Sequence, residues 1–138
     1  MATRSAIGFV EFDGSVTAIY CHWDGYPENN GRILEEHYTS IEKVEDLLEL
    51  GNISVLGPNI GERVDFNSPA ASNIQCIAYG RDRGELGRSI EAKQFSSILE
   101  YHTQFGGDCE YFYLFDGNEW IVADASGDFK PLGLVLSA

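Results

Sequence analysis

The stretch Tyr20-Cys21-His22-Trp23-Asp24-Gly25-Tyr26-Pro27 gathers a thiol, an imidazole and three aromatic rings where an alternating apolar run breaks into a turn. Two kinds of chemistry suit these residue types. A thiolate beside an imidazole is the nucleophile of cysteine enzymes, because the imidazole lowers the thiol pKa. Consecutive strand residues point to opposite faces, so Cys21 and His22 do not meet while the strand continues. His37 or His102 would have to be brought in by the fold, and a free cysteine is most often a small buried hydrophobe. No residue is therefore assigned a catalytic role. The rings offer the other chemistry, since large aromatic surfaces either plug a core or line a ligand site. Trp23 is expected to be the plug that pins the first hairpin onto the helices, and Tyr26, further into the turn, the site residue.

A second stretch, Tyr79-Gly80-Arg81-Asp82-Arg83-Gly84-Glu85, sets two arginines between glycines. Two guanidinium forks can bracket a phosphate while Tyr79, Trp23 or Tyr26 stacks on a base, which would make a site for a nucleotide or cyclic nucleotide. The competing reading is an internal salt-bridge cluster of these arginines with Asp82, Glu85 or Asp24. No metal site and no cofactor are expected: His22, His37, His102 and Cys21, Cys76, Cys109 lack paired ligand spacing, and no Asp-x-Asp-x-Asp-Gly loop occurs. Nothing selects one carboxylate pair for acid–base work among 22 acidic residues.

The elements that must position these residues follow from periodicity. Residues 6–12 and 16–23 alternate about Asp13-Gly14, and 111–115 and 120–123 about Asp116-Gly117, which predicts a β-hairpin near each end of the chain. Thr39 followed by Glu42 reads as a capping box for a helix over 39–50, with Ile41, Val44, Leu47 and Leu48 on one face and Gly51 as its stop. A shorter helix is expected over 30–38, with Ile33, Leu34 and Tyr38 inward. A third is expected over 91–105, with Phe95, Ile98, Leu99 and His102 sharing a face and Gly106-Gly107 ending it. Residues 52–73 read as a long loop or flap, 74–79 as a short strand and 132–136 as a last strand. The sum is a single α+β domain over 1–138, a mainly antiparallel sheet of about five or six strands packed by two or three helices.

Charge narrows the partners. With 22 acidic and 9 basic residues the chain carries −13, which excludes the electrostatic footprint of a nucleic-acid or anionic-membrane binder and favours a partner with a basic face. Between residues 28 and 62, eight carboxylates face only Arg32 and Lys43. Glu35, Glu36, Glu42, Glu45, Asp46 and Glu49 are the candidate protein-binding residues, an array of charge able to imitate phosphates. An odd count of three cysteines, with no C-x-x-C and no disulfide-dense spacing, suits a reducing compartment. Without an apolar leader at the N-terminus, the expectation is a soluble protein of the host-cell cytoplasm.

Three stretches, Tyr20 to Pro27, Tyr79 to Glu85 and Glu110-Tyr-Phe-Tyr-Leu-Phe-Asp-Gly117, are similar to a family of small acidic uncharacterised proteins carried by phages and prophages. The resemblance spans most of the chain and carries no catalytic residue with it. It implies a context in which small acidic proteins inhibit host defence or regulate host enzymes. The leading expectation is a protein that binds and blocks a host protein through its acidic face. The nucleotide binder is the alternative, and a Cys21-dependent enzyme the third class.

Overall fold

The computed structural model describes residues 3–67, 74–105 and 109–137. Strands β1 (Ser5–Val10) and β2 (Val16–Cys21) form the first hairpin, in register from Ser5 opposite Cys21 to Val10 opposite Val16. Its turn is closed by Glu11 N–H donating to the Ser15 carbonyl and by Asp13, whose carboxylate accepts from the Ser15 amide at 2.9 Å. Strands β6 (Tyr111–Phe115) and β7 (Trp120–Ala123) form the second hairpin as expected. β6 lies parallel to β1, so the two hairpins build one continuous sheet.

Four short strands complete the sheet: β3 (Ile53–Val55), β4 (Ile77–Ala78), β5 (Lys93–Phe95) and β8 (Lys130–Pro131). The described sheet has eight strands, ordered β4–β3–β2–β1–β6–β7–β8, with β5 paired to β2 off this path. Five pairings are antiparallel and two, β1 with β6 and β2 with β3, are parallel. The α+β class holds, with more strands than the five or six expected.

Alternation divides the core between the two sheet faces. On one face Ile7, Phe9, Ile19, Tyr113, Phe115, Trp120 and Val122 pack against helices α1 (Arg32–His37), α2 (Ile41–Glu49) and α5 (Leu132–Ser137). On the other, Ala6, Val16, Ala18, Phe112 and Leu114 pack against Phe95 and the Tyr101 ring of helix α4 (Ile98–Phe105). The tips of the buried tyrosines find carbonyls: Tyr38 donates to Gly57, Tyr101 to Tyr113 and Tyr113 to Gly25. Among the described residues no helix is long and apolar enough to cross a membrane.

Several local expectations are corrected. The cap of α2 is Ser40, whose hydroxyl accepts from the Lys43 amide at 3.2 Å, and Thr39 stays outside the helix. Tyr38 decides this: its ring is buried, and its carbonyl accepts from Trp120 Nε1 at 2.8 Å, which holds residue 38 off helical geometry. The helix expected over 91–105 is instead β5 followed by α4. Ser97 and Glu100 begin α4, with the Ser97 hydroxyl accepting from the Glu100 amide and the Glu100 carboxylate accepting from Ser96. Leu99 is consequently 76% exposed, and the inward face is Ile98, Tyr101 and Phe105. The glycines expected to end this helix lie outside the described residues.

Residues 52–73 are not all loop, since β3 occupies part of them and Asn59 bridges to Gln75, while 68–73 lie outside the described residues. The strand expected over 74–79 is only β4, and Tyr79 already opens helix α3 (Tyr79–Arg83). The last expected strand, 132–136, is helix α5. Leu132, Val135 and Leu136 fit helical spacing as well as alternation, and all three pack on the core.

Candidate functional site

The corner after β2 is built around buried polar contacts. Asp24 takes a left-handed conformation (φ 55°), and Gly25 follows with its amide donating to the Thr3 carbonyl at 2.8 Å. A Cβ on Gly25 would come within 2.6 Å of the Ser5 Cβ, so only glycine permits this approach. Asn30, fully buried, donates from its amide to Cys21 Sγ at 3.3 Å and to the Ser5 hydroxyl at 3.4 Å. Cys21 therefore faces the core, and burial pushes its thiol up to about 12 despite the Asn30 contact. A protonated, enclosed thiol is not a nucleophile at neutral pH. His22 faces the other way, its Nδ1 sharing a hydrogen bond of 2.8 Å with the Tyr20 hydroxyl.

Trp23 is 43% exposed and packs edge-on against the His22 ring at 4.8 Å, so the core plug assigned to it is corrected. The plug is Trp120, which is 2% exposed and packs at a tilt against the Phe115 ring, 5.1 Å between centroids. Sequence could not rank the two tryptophans, because both sit in apolar runs beside Asx-Gly turns. Tyr26 is 38% exposed but lines a different depression from Trp23, with Thr3, Glu110 and Asp124 instead of Ile33, Val55 and Pro58. The aromatic corner thus does not close over one ligand space.

The arginine stretch is a short helix. Every N–H of the Arg81 guanidinium is committed: Nε and Nη2 donate to the Asp82 carboxylate, Nη1 to the carbonyls of Ile60 and Gly61, and Nη2 also to that of Cys76. Burial raises the Asp82 pKa. The Arg81 bonds, with the amides of Ala78 and Val64, outweigh it and hold the carboxyl below its ordinary value. Arg83 pairs with Glu85 at 3.4 Å and lies over the rings of Phe66 and Tyr79. The salt-bridge reading describes this geometry, and Arg81 has no N–H left for a phosphate.

The acidic residues are arranged otherwise. α2 buries Val44, Leu47 and Leu48 and turns Glu42, Glu45, Asp46 and Glu49 to solvent, while Glu35 and Glu36 are exposed on α1. Among the described residues none of these six takes part in an ion pair. Lys43, which could neutralise them, donates to the Pro58 carbonyl at 2.8 Å and lies over the Tyr38 ring. Glu45 and Glu49 also line a cleft of 540 Å³ with Glu11 and Glu91, over a floor of Leu48, Leu50 and Ile90. No lysine, arginine or histidine is among its described lining residues.

Sequence reasoning missed Glu11 and Glu91, which lie far from α2 in the chain. Packing of α2 across β1 and β2 brings it to Glu11, and the pairing of β5 with β2 brings Glu91. Among the described residues no group of three or more His, Cys, Asp and Glu side chains is placed to hold a metal ion. Compared with family models, curated proteins and solved structures, the chain has no match, so the geometry of its surfaces carries the functional reading.

Proposed function

We propose that this chain is a phage-type accessory protein that binds and inhibits a host protein, such as a component of host defence, through the acidic face of α1 and α2. Uncompensated like charge on α2 carries the reading. Glu42 with Glu45 and Asp46, Glu45 with Glu49, and Asp46 with Glu49 stand three or four residues apart, where like charges are neighbours on a helix. Each such pair costs roughly 0.2–0.5 kcal/mol, and the acids near the C-terminal end also oppose the helix dipole. A helix selected for stability alone would alternate its signs. A basic partner surface offsets the repulsion on binding, so the cost in the free protein becomes affinity in the complex. Such an array imitates phosphates and would occlude a surface that binds nucleic acid.

Capture from host lysate by the parent and by the Glu42→Gln/Glu45→Gln/Asp46→Asn/Glu49→Gln variant, each at low and high salt, tests this. One protein should be retained by the parent, released by salt, absent with the variant and displaced by duplex DNA. A partner retained equally by the variant would refute the acidic face as the binding surface.

A further inference from the structure

The opposite face of the same sheet carries a second cleft, of 530 Å³, with inverted chemistry. Arg4 and Lys93 supply cations, Tyr20, Phe95 and Phe105 supply rings, and Asn52 and Gln104 supply amides. No carboxylate is among the described lining residues. Strand register produces the grouping: Lys93 lies opposite Ala18 and Phe95 opposite Val16, which puts both on the face shared by Ala18 and Tyr20. Helix α4 brings Phe105 to within 5.4 Å of the Phe95 ring, measured between centroids.

β3 and β5 share the outer edge of β2 and leave Tyr20 between them. The side chain of Asn52 fills that gap, its carbonyl accepting from the Tyr20 amide at 3.0 Å and its amide donating to the Ser89 carbonyl. The floor is therefore held rigidly, while the cations are not used. Among the described residues the Arg4 guanidinium makes no ion pair or hydrogen bond, and Lys93 makes only a contact of 3.4 Å to the Ser89 carbonyl. In a chain with 22 acidic residues, two cations that line one cleft and form no ion pair among the described residues are a feature of the fold.

We propose that this cleft binds a free nucleotide, its base against the rings of Tyr20 and Phe105 and its phosphate between Arg4 and Lys93. Aromatic rings accept the π-face of any base, and an arginine fork takes two phosphate oxygens at once. The Gln104 amide offers a donor and an acceptor to a base edge. A nucleic-acid strand fits less well, because its further phosphates would meet the field of a chain carrying −13. The site uses none of the residues of the acidic face and stands whether or not that face binds a partner.

Calorimetric titration of the full chain at low salt with AMP, GMP, CMP, UMP and their cyclic forms tests it, with adenosine, inorganic phosphate and an oligothymidylate as controls. At least one nucleotide should bind, and nucleoside and phosphate alone should bind more weakly. The Arg4→Ala/Lys93→Ala variant alters only exposed side chains and should melt as the parent does, while its affinity falls at least about tenfold through loss of charge-assisted hydrogen bonds. Glu45→Gln should bind as the parent does. Silence across all the nucleotides, binding that survives the double variant, or phosphate binding as tightly as the nucleotide would each overturn the site. An oligothymidylate that binds more tightly than any nucleotide would overturn the preference for a free ligand.

Discussion

Two clefts of nearly equal size, 540 and 530 Å³, border the same strand pair on opposite faces of the sheet and have opposite charge. Thr17 and its partner Gln94 face the acidic cleft with Glu11, Glu45, Glu49 and Glu91, whereas Tyr20, Lys93 and Phe95 face the cationic one with Arg4. The two-residue period within β5 therefore keeps Lys93 on the face away from Glu45 and Glu49, while Glu91, which precedes the strand, is free of it. Slipping β5 by one residue would turn Lys93 toward Glu45 and Glu49 and erase both clefts' character, because a one-residue slip moves every side chain to the other face. The walls are also shared: Gly51 lines the acidic cleft and Asn52 the cationic one.

The most damaging substitution acts on one face of the sheet alone. Trp120 lies in the core beneath α1 and α2, and its indole N–H holds the Tyr38 carbonyl at their junction. Trp120→Ala should cost about 3–5 kcal/mol in urea unfolding, as deletions of buried rings do. It should loosen the acidic face and leave the cationic cleft as the more protected region in hydrogen exchange. Trp23→Ala, removing a ring that is 43% exposed, should stay within about 1 kcal/mol of the parent. Equal losses for the two would contradict the assignment of the plug.

Gly51→Ala strikes the shared wall. Gly51 closes α2 with φ 75°, and a Cβ there would collide with the Ile90 carbonyl, so the variant should lose about 2 kcal/mol or more. Both clefts should be disturbed together, read as amide shift changes on β2, β5 and α2. A change confined to α2 would show that the clefts are independent.

Smaller still is the response of the acidic cleft to neutralisation. Glu45→Gln/Glu49→Gln removes a like-charge pair and should raise stability by about 0.2–0.5 kcal/mol at low salt. The gain should vanish near 1 M salt, where screening acts within ~3 Å. A loss of stability would mean that these carboxylates are paired in solution.

The smallest effect reads the cationic cleft through His22. Burial first, and the Arg4 charge second, lower its pKa from 6.5. The unfolded chain then takes up this proton more readily, so the stability linked to it is present at neutral pH and is lost as pH falls from about 6.5 through the folded value. Arg4→Ala should move the His22 midpoint upward in an NMR titration and weaken the acid sensitivity of unfolding. An unchanged midpoint would place Arg4 away from that ring.

Much of the framework was legible because its signals are local. Both Asp-Gly hairpins follow from alternation around residues that tolerate turn geometry, and α2 follows from Val44, Leu47 and Leu48 with Gly51 as its stop. The exposed carboxylates of α1 and α2 were legible for the same reason, since they occupy the positions that the buried residues of those helices leave to solvent. Where two periods coexist, the reading failed. Leu132, Leu134 and Leu136 alternate as a strand would, yet Leu132, Val135 and Leu136 also share a helical face, and packing against the π-helical segment Pro27–Gly31 and β7 selects the helix. Phe95 fits the helical spacing of α4, yet Ser97 caps the helix after it and leaves Phe95 to pair with β2.

Composition and periodicity were enough for the acidic α+β class, the two hairpins and the solvent-facing charge of α2, because each depends on neighbours within a few residues. Which tryptophan fills the core, whether Arg81 faces a ligand or Asp82, and which of two clefts receives Arg4, Lys93, Glu11 and Glu91 were decided only by the tertiary structure. These outcomes rest on contacts between residues tens of positions apart, where strand register and competition for buried space choose among side chains that the chain alone presents as equivalent.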